Sequence, residues 1–200
     1  MRVLAACSLG GAGHFGPMLP LLSAAQHGGA EVLVAGPPAI GDLVERAGYA
    51  FGAGGEPPDD VVAPIREQLA TVTADEASIL ANRDLFGHLA TKAMVGPMEA
   101  ICAGWGPDLV LRDPCEYASA VVGPIAGIPV VQVAISFAQA EWGSIEVATP
   151  ALEAFRTSLP DELRASPYVT SFPASLDPSP FARTIRFHPP SSDRSPGKWW

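Results

Sequence analysis

The amino-acid sequence predicts an α/β domain with a doubly wound, mostly parallel β-sheet and helices on both of its faces. Short apolar runs such as residues 3–6 alternate with segments of helical periodicity, and glycine or proline turns separate them. This order is typical of parallel strands joined by crossover helices. The 200 residues are 48% hydrophobic and 16% charged, which suits one large core. We therefore predict a single domain spanning residues 1–200.

In the first half, three strands alternate with two helices. The predicted strands cover residues 3–6, 31–35 and 49–51, and the predicted helices cover residues 17–27 and 40–47. Pro17 suits a first helical turn, and Gly28-Gly29 ends that helix. Residues 52–64 are rich in Gly, Pro and Asp and are predicted to form a mobile loop.

The second half continues the alternation after a long helical region. Its clearest helix carries apolar side chains on one face from Leu85 to Trp105, with a kink at Gly96-Pro97. The further predicted strands cover residues 109–111 and 129–133, with strand-like pieces at 171–172 and 184–187, and the further helices cover 117–126 and about 150–159. Phe137 and Trp142 fall in a predicted loop just past the fifth strand.

Composition excludes several classes of function. The formal net charge is −9 and the 12 basic residues are scattered, which argues against a nucleic-acid groove. Three cysteines without zinc-site spacing indicate free thiols in a reducing cytoplasm. No apolar run approaches the roughly 18 residues of a membrane span. We expect a cytoplasmic protein without a membrane span.

Residues 11–16 form the pattern Gly-x-Gly-x-x-Gly between a strand and a helix. This context is compatible with a dinucleotide-binding loop and hence with an oxidoreductase. That function also needs an acidic residue at the end of the second strand, where this chain has Ala35-Gly36-Pro37. An oxidoreductase is therefore the weaker alternative.

His14 suggests a different chemistry, because it follows the first strand at the edge where open α/β sheets bind ligands. A histidine can accept the proton of a hydroxyl group whose oxygen attacks a substrate. A carboxylate on its other ring nitrogen would fix the tautomer and stabilise the imidazolium. Asp113 at the end of the fourth strand is the preferred partner, with Glu116 as the alternative. A histidine that only packs near a helix start is the competing interpretation.

Four segments, taken in order, resemble family-1 glycosyltransferases of the GT-B fold. They are residues 13–21 (GHFGPMLPL), 107–114 (PDLVLRDP), 127–131 (GIPVV) and 172–177 (FPASLD). The resemblance is closest to bacterial enzymes that glycosylate antibiotics and other natural products. It implies that the predicted sheet is the Rossmann-like, N-terminal half of a GT-B fold.

The resemblance also implies a function for the chain. The first domain of such enzymes binds the acceptor and the second binds a nucleotide sugar, with inversion at the sugar and without a metal or other cofactor. His14 would be the catalytic base and Asp113 its supporting acid. The donor signature of the second domain is absent from the 200 residues, so we expect this chain alone to be inactive. A non-catalytic auxiliary binding module remains an alternative, and a homodimer remains open.

Six residues are candidates for contact with an apolar acceptor. Glycine would allow close approach of the substrate to the backbone, and the larger side chains could line an apolar cleft, although core packing is the competing interpretation for them. The candidates are Gly13, Phe15, Met18, Phe86, Phe137 and Trp142.

Overall fold

A computed structural model describes residues 1–188; residues 189–200, the end of the predicted domain, lie outside the described range. Seven parallel strands form one sheet in the order β3-β2-β1-β4-β5-β6-β7. The strands are β1 (Arg2–Ala6), β2 (Glu31–Gly36), β3 (Ala50–Ala53), β4 (Leu109–Arg112), β5 (Val130–Val133), β6 (Tyr168–Thr170) and β7 (Thr184–Arg186). The predicted α/β class with a parallel sheet is confirmed.

Nine α-helices and one π-helix accompany the sheet in the described part of the chain. They are α1 (Ala12–Phe15), α2 (Leu19–His27), α3 (Gly41–Arg46), α4 (Asp59–Leu69), α5 (Ala74–Ser78), the π-helix (Ile79–Ala90), α6 (Thr91–Trp105), α7 (Ala118–Ile125), α8 (Ala138–Glu153) and α9 (Leu159–Ala165). Within residues 1–188, none of these helices has the length and apolar character needed to cross a bilayer.

The sheet is covered on both faces because successive side chains of each buried strand point to opposite sides. On β1, Val3 and Ala5 face a core built with α2 and α3, while Leu4 and Ala6 face one built with α6 and α7. A third cluster joins α8 and α9 to the last strands through Ile145, Leu152, Leu163, Tyr168 and Phe181.

The strand order reverses between β1 and β4, which pair in parallel with Ala6 opposite Arg112. Ligands of open α/β sheets bind beyond the carboxyl ends of the strands at such a reversal. The loops that leave β1 and β4 at this point carry His14 and Asp113. The fold therefore brings together two residues that are 99 positions apart.

Three predicted elements were wrong. The loop over residues 52–64 is helical from Asp59, with Pro64 inside α4. Asp59 and Asp60 are typical of loops, but here they lie in a first helical turn, where the helix dipole stabilises acidic side chains.

The second wrong element is the helix predicted at about 150–159. Helix α8 already begins at Ala138 and runs to Glu153, and α9 is separate. The backbone N–H of Ala138 donates to both carboxylate oxygens of Asp177, at 3.0 and 3.2 Å. This cap comes from 39 residues away, so local pattern cannot reveal it. Trp142 is consequently helical rather than in a loop, and β6 ends at Thr170, before the strand-like piece predicted at 171–172.

Candidate active site

His14 lies in the short helix α1, immediately beyond the carboxyl end of β1. Its Nδ1 atom is 3.0 Å from Oδ1 of Asp113, and 14% of its side chain is exposed. The hydrogen bond expected from strand adjacency is therefore present. Its role in catalysis stays a prediction.

Asp113 is fully buried and held from several directions. Its Oδ2 accepts the backbone N–H of Ser8 at 2.6 Å, and its Oδ1 accepts that of Cys115 at 2.7 Å. An ionised carboxylate has no proton to donate, so Nδ1 of His14 carries the shared hydrogen. The second ring nitrogen, Nε2, is then left with its lone pair and can accept a proton.

The environment raises the pKa of His14 above its ordinary value. Burial of the ring acts against protonation and lowers the pKa, but the hydrogen bond and the negative charge of Asp113 outweigh it, with a further contribution from the charge of Glu141. The site therefore stabilises the imidazolium that would form when Nε2 accepts a proton.

Gly10 is a site residue that sequence reasoning missed. Its φ of +131° disfavours other residues, and a Cβ atom there would lie 2.3 Å from Cδ2 and 2.5 Å from Nε2 of His14. The absence of a side chain at Gly10 allows the ring of His14 to lie directly against the backbone of this residue. The run Leu9-Gly10-Gly11 directly before the predicted glycine loop was the available signal.

Glu116 is not the partner of His14. It is buried at the start of α7, where it accepts the backbone N–H of Ser119 at 3.1 and 3.2 Å and the hydroxyl group of the same residue. Burial raises the pKa of Glu116 to about 7, against the lowering effect of the Ser119 hydroxyl. Its role is to cap α7.

Three of the six candidate acceptor contacts lie where a ligand could reach them. Gly13 is exposed and has open space around its Cα. The ring of Phe86, on the π-helix, is centred 5.8 Å from that of His14. Phe137 is 52% exposed and lies 5.0 Å from the ring of Phe172.

Two of the other three, Phe15 and Met18, are buried packing residues, and their prediction as ligand contacts is corrected. The contact of Trp142 with a ligand stays a prediction. Phe15 is buried and packs edge-on against Tyr49, 6.2 Å away. Met18 is also fully buried in the cluster beneath β1. Trp142 packs against Phe181 at 5.2 Å and is covered by the guanidinium of Arg164. Phe15 and Met18 fill the hydrophobic interior, whereas Trp142 is only partly buried and its Nε1 donates to Glu146 at 3.1 Å.

A cleft of about 300 Å³ opens beyond the carboxyl ends of β5 and β6. Mostly apolar side chains line it: Pro17, Pro20, Ala134, Ile135, Ser171, Phe172 and Phe187. Pro17 and Pro20 lie three and six residues after His14. Clefts of about 600 and 470 Å³ occur elsewhere in the described part, and none of these three clefts is lined by His14 or Asp113.

His14, Asp113 and Cys115 bring possible metal-ligand atoms within 4.8 Å of one another in the described structure. The donor set disfavours a metal, because Oδ1 of Asp113 already accepts two hydrogen bonds and Oδ2 a third. Burial and the charge of Asp113 also raise the pKa of the Cys115 thiol, whereas a metal would need the thiolate. These contacts favour a site without a metal. That expectation stays a prediction.

The fold and the site define a Rossmann-like α/β domain with a histidine–aspartate pair at the sheet reversal. Residues 23–197 match the erythromycin biosynthesis protein CIII-like N-terminal domain, and the chain belongs to this family. His14 precedes the matched range, so its role rests on geometry and on the resemblance of its own segment. Membership of this family overturns the oxidoreductase alternative.

Individual relatives agree with the family. An L-demethylnoviosyl transferase of Streptomyces niveus is 35% identical over 135 residues, covering 66% of this chain and 34% of the relative. The structure of SsfS6, a Streptomyces sp. SF2575 glycosyltransferase, has a TM-score of 0.69 at 24% identity over 89% of this chain. The glycosyltransferase SnogD of Streptomyces nogalater has a TM-score of 0.67 at 23% identity over 88% of this chain.

The chain spans 52% and 46% of the lengths of SsfS6 and SnogD, about half in each case. At these identities the structural likeness shows the fold, which is that of the N-terminal half of a GT-B glycosyltransferase.

Proposed function

We propose that this chain is the acceptor-binding half of an inverting glycosyltransferase that moves a sugar from a nucleotide sugar to a hydroxyl group of a small, largely apolar natural product. The observation that carries the proposal is the hydrogen bond from Nδ1 of His14 to the buried carboxylate of Asp113. It leaves Nε2 as a proton acceptor at the sheet edge where a ligand would bind.

The proposed reaction uses these two residues as base and supporting acid. The acceptor hydroxyl group donates its proton to Nε2 of His14 while its oxygen attacks the anomeric carbon of the sugar. The bond from that carbon to the nucleoside diphosphate breaks on the opposite face, which inverts the configuration. Asp113 stabilises the imidazolium and holds its tautomer.

The lining of the cleft supports an apolar acceptor. Phe172, Phe187 and Ile135 contribute apolar surface to it, and Phe86 lies beside the ring of His14. Small-molecule sites are lined mainly by such side chains, with a few polar groups that orient the ligand.

The donor in this proposal is a nucleotide sugar bound mainly by a second domain. The solved complexes of SsfS6 and of the spinosyn rhamnosyltransferase SpnG contain thymidine diphosphate, which supports a nucleoside diphosphate as leaving group. We propose no metal or other cofactor. The cytoplasmic location stays a prediction from the three cysteines, none of which forms a disulfide.

Acceptor binding can be tested on the chain alone by amide NMR. A panel of hydroxylated, largely apolar natural products is titrated into the labelled chain, and nucleotide sugars are titrated separately. We expect an acceptor to shift signals of Gly13, Phe86 and Ile135, and nucleotide sugars to leave them unchanged. Shifts from nucleotide sugars alone, at these same residues, would contradict the assignment of this half to the acceptor.

A further inference from the structure

We propose that Glu141 is a positioning residue of this site: its buried carboxylate accepts hydrogen bonds from the loop after β5 and fixes that loop at the sheet edge that carries the His14–Asp113 pair. A carboxylate fixed at this edge also acts electrostatically on the ring of His14. The meaning of this role for catalysis rests on the proposed function. The contacts and the electrostatic coupling can be tested without any transfer activity.

Glu141 holds the loop after β5 through its backbone. Its side chain lies in the first turns of α8, and only 4% of the residue is exposed. Oε1 accepts the backbone N–H groups of Ile135 at 2.8 Å and Ser136 at 2.7 Å. Ile135 lines the cleft beyond β5 and β6, so this carboxylate sets the shape of the cleft wall.

A buried chain of hydrogen bonds links Glu141 to the loop that carries Asp113. Oε2 of Glu141 accepts from Nε2 of Gln132 at 2.9 Å, and Oε1 of Gln132 accepts from Nη2 of Arg112. Nη1 of the fully buried Arg112 donates to the carbonyl oxygens of Asp113, Pro114 and Glu116, at 2.9, 3.2 and 3.1 Å. The loops after β4 and β5 are thus tied to each other.

A second buried carboxylate holds the other end of the same loop. Asp177 accepts the N–H of Ala138 and is 2% exposed. It closes the segment 172–177 that the sequence singled out, and its carbonyl oxygen accepts from Nη2 of Arg186 at 2.8 Å. Residues 135–138 are therefore fixed from both sides, and Phe137 between them remains exposed.

An ionised carboxylate in the interior is costly even when it is hydrogen-bonded, and an apolar residue of similar size often stabilises a fold equally well. Burial accordingly raises the pKa of Glu141 to about 7, although the N–H groups of Ser136 and Ile135 and the amide of Gln132 oppose this rise. The charge of Glu141 in turn raises the pKa of His14.

Glu141 and His14 are expected to titrate in overlapping pH ranges as an interacting pair. The other titratable or charged groups around them come from the neighbouring strands and loops. They are Arg112, Asp113, Cys115, Tyr117, Tyr168 and Asp177.

The experiment measures the pKa of His14 by NMR, from its ring ¹³Cε1 signal, in the wild-type chain and in two variants. Glu141→Gln removes the buried charge with little change in shape, and Glu153→Gln makes the same change at an exposed position of α8. We expect a lower pKa of His14 in Glu141→Gln, because the imidazolium loses a stabilising charge, and an unchanged value in Glu153→Gln. An equal pKa of His14 in both folded variants would overturn the proposal.

A second measurement needs no substitution and serves if Glu141→Gln does not fold. In the wild-type chain, the ring signal of His14 and the amide signals of Ile135 and Ser136 should each show an inflection at the pH where the side-chain ¹³Cδ of Glu141 titrates. A single inflection of His14, unrelated to that of Glu141, contradicts the coupling. Because neither measurement involves sugar transfer, both outcomes are independent of the proposed function.

Discussion

Single residues decide the chemistry available at this sheet edge. The sequence predicted His14 and Asp113 because parallel strands one and four are neighbours in doubly wound sheets, and this rule needs no side-chain detail. It could not predict that Ser8 and Cys115 also donate to Asp113, since those bonds depend on loop conformation. For the same reason Gly10 was missed, because its importance lies in the close approach of the His14 ring to its backbone.

Replacing Gly10 with alanine tests whether this close approach of the ring is needed. The new Cβ atom would displace the ring of His14, and a misplacement of about 1 Å can cost roughly 10²-fold in rate. In the full-length transferase we expect turnover to fall by about this factor. The control is Gly104→Ala on α6, away from the site, where no atom lies within 4 Å of the new methyl group and φ is not positive. Equal turnover in the two variants would show that the ring tolerates the contact.

Asp113→Asn should lower both turnover and stability. The amide NH₂ must face the N–H of Ser8 or of Cys115, so a buried donor loses its acceptor at a cost of about 1–3 kcal/mol. Because Asp113 has 0% exposure, water cannot replace the lost acceptor. Urea unfolding measures the loss, with exposed Asp60→Asn as the control.

The loss in free energy of unfolding caused by Asp113→Asn should also depend on pH. Because the folded pKa of His14 is raised, the pair stabilises the fold fully below the unfolded pKa of about 6.5 and loses this contribution as pH rises through the folded value. The difference between wild type and Asp113→Asn should therefore be larger at acidic than at alkaline pH. A difference that grows with pH would contradict the ion pair.

Helices and strands were predictable where their signals are local. The apolar runs of β1, β2 and β4 locate these strands, because each is buried on both faces. The start of α8 was not predictable, because its cap comes from Asp177, and the π-helix was read only as helical. A π-helix differs from an α-helix in its hydrogen-bond register, which the sequence prediction of a helix did not specify.

The π-helix packs closely against α8 at Gly87. A Cβ atom there would lie 2.8 Å from the carbonyl oxygen of Asn82 and 3.2 Å from Cβ of Ala148. We expect Gly87→Ala to lower the free energy of unfolding by about 1–3 kcal/mol through overpacking. The matched control is Gly96→Ala on α6, which meets no atom within 4 Å and should be neutral or stabilising by up to about 1 kcal/mol. Equal effects of the two substitutions in urea unfolding would contradict the close contact.

The whole domain presents one reactive edge, formed where loops after β1, β4 and β5 meet. In the proposed mechanism this edge supplies the acceptor site and the base, while the nucleotide sugar is bound mainly by a second domain. The match to the family covers residues 23–197. The solved relatives extend to about twice the length of this chain.

A polypeptide of these 200 residues alone should therefore show no sugar transfer. The check is mass spectrometry of products after incubation with a panel of nucleotide sugars and hydroxylated acceptors. The same panel with a longer protein that includes a donor-binding domain is the positive control. Turnover by the 200 residues alone would overturn the division of labour between two domains.

The most direct test of His14 as the catalytic base is the rate of sugar transfer by the full-length transferase with His14→Ala. Loss of a positioned general base should lower turnover by roughly 10²–10⁴-fold. His27→Ala, at an exposed position on α2, is the matched control and should leave turnover unchanged. Near wild-type turnover at neutral pH in a folded His14→Ala enzyme would contradict this role and leave His14 as a packing residue beside the helix start.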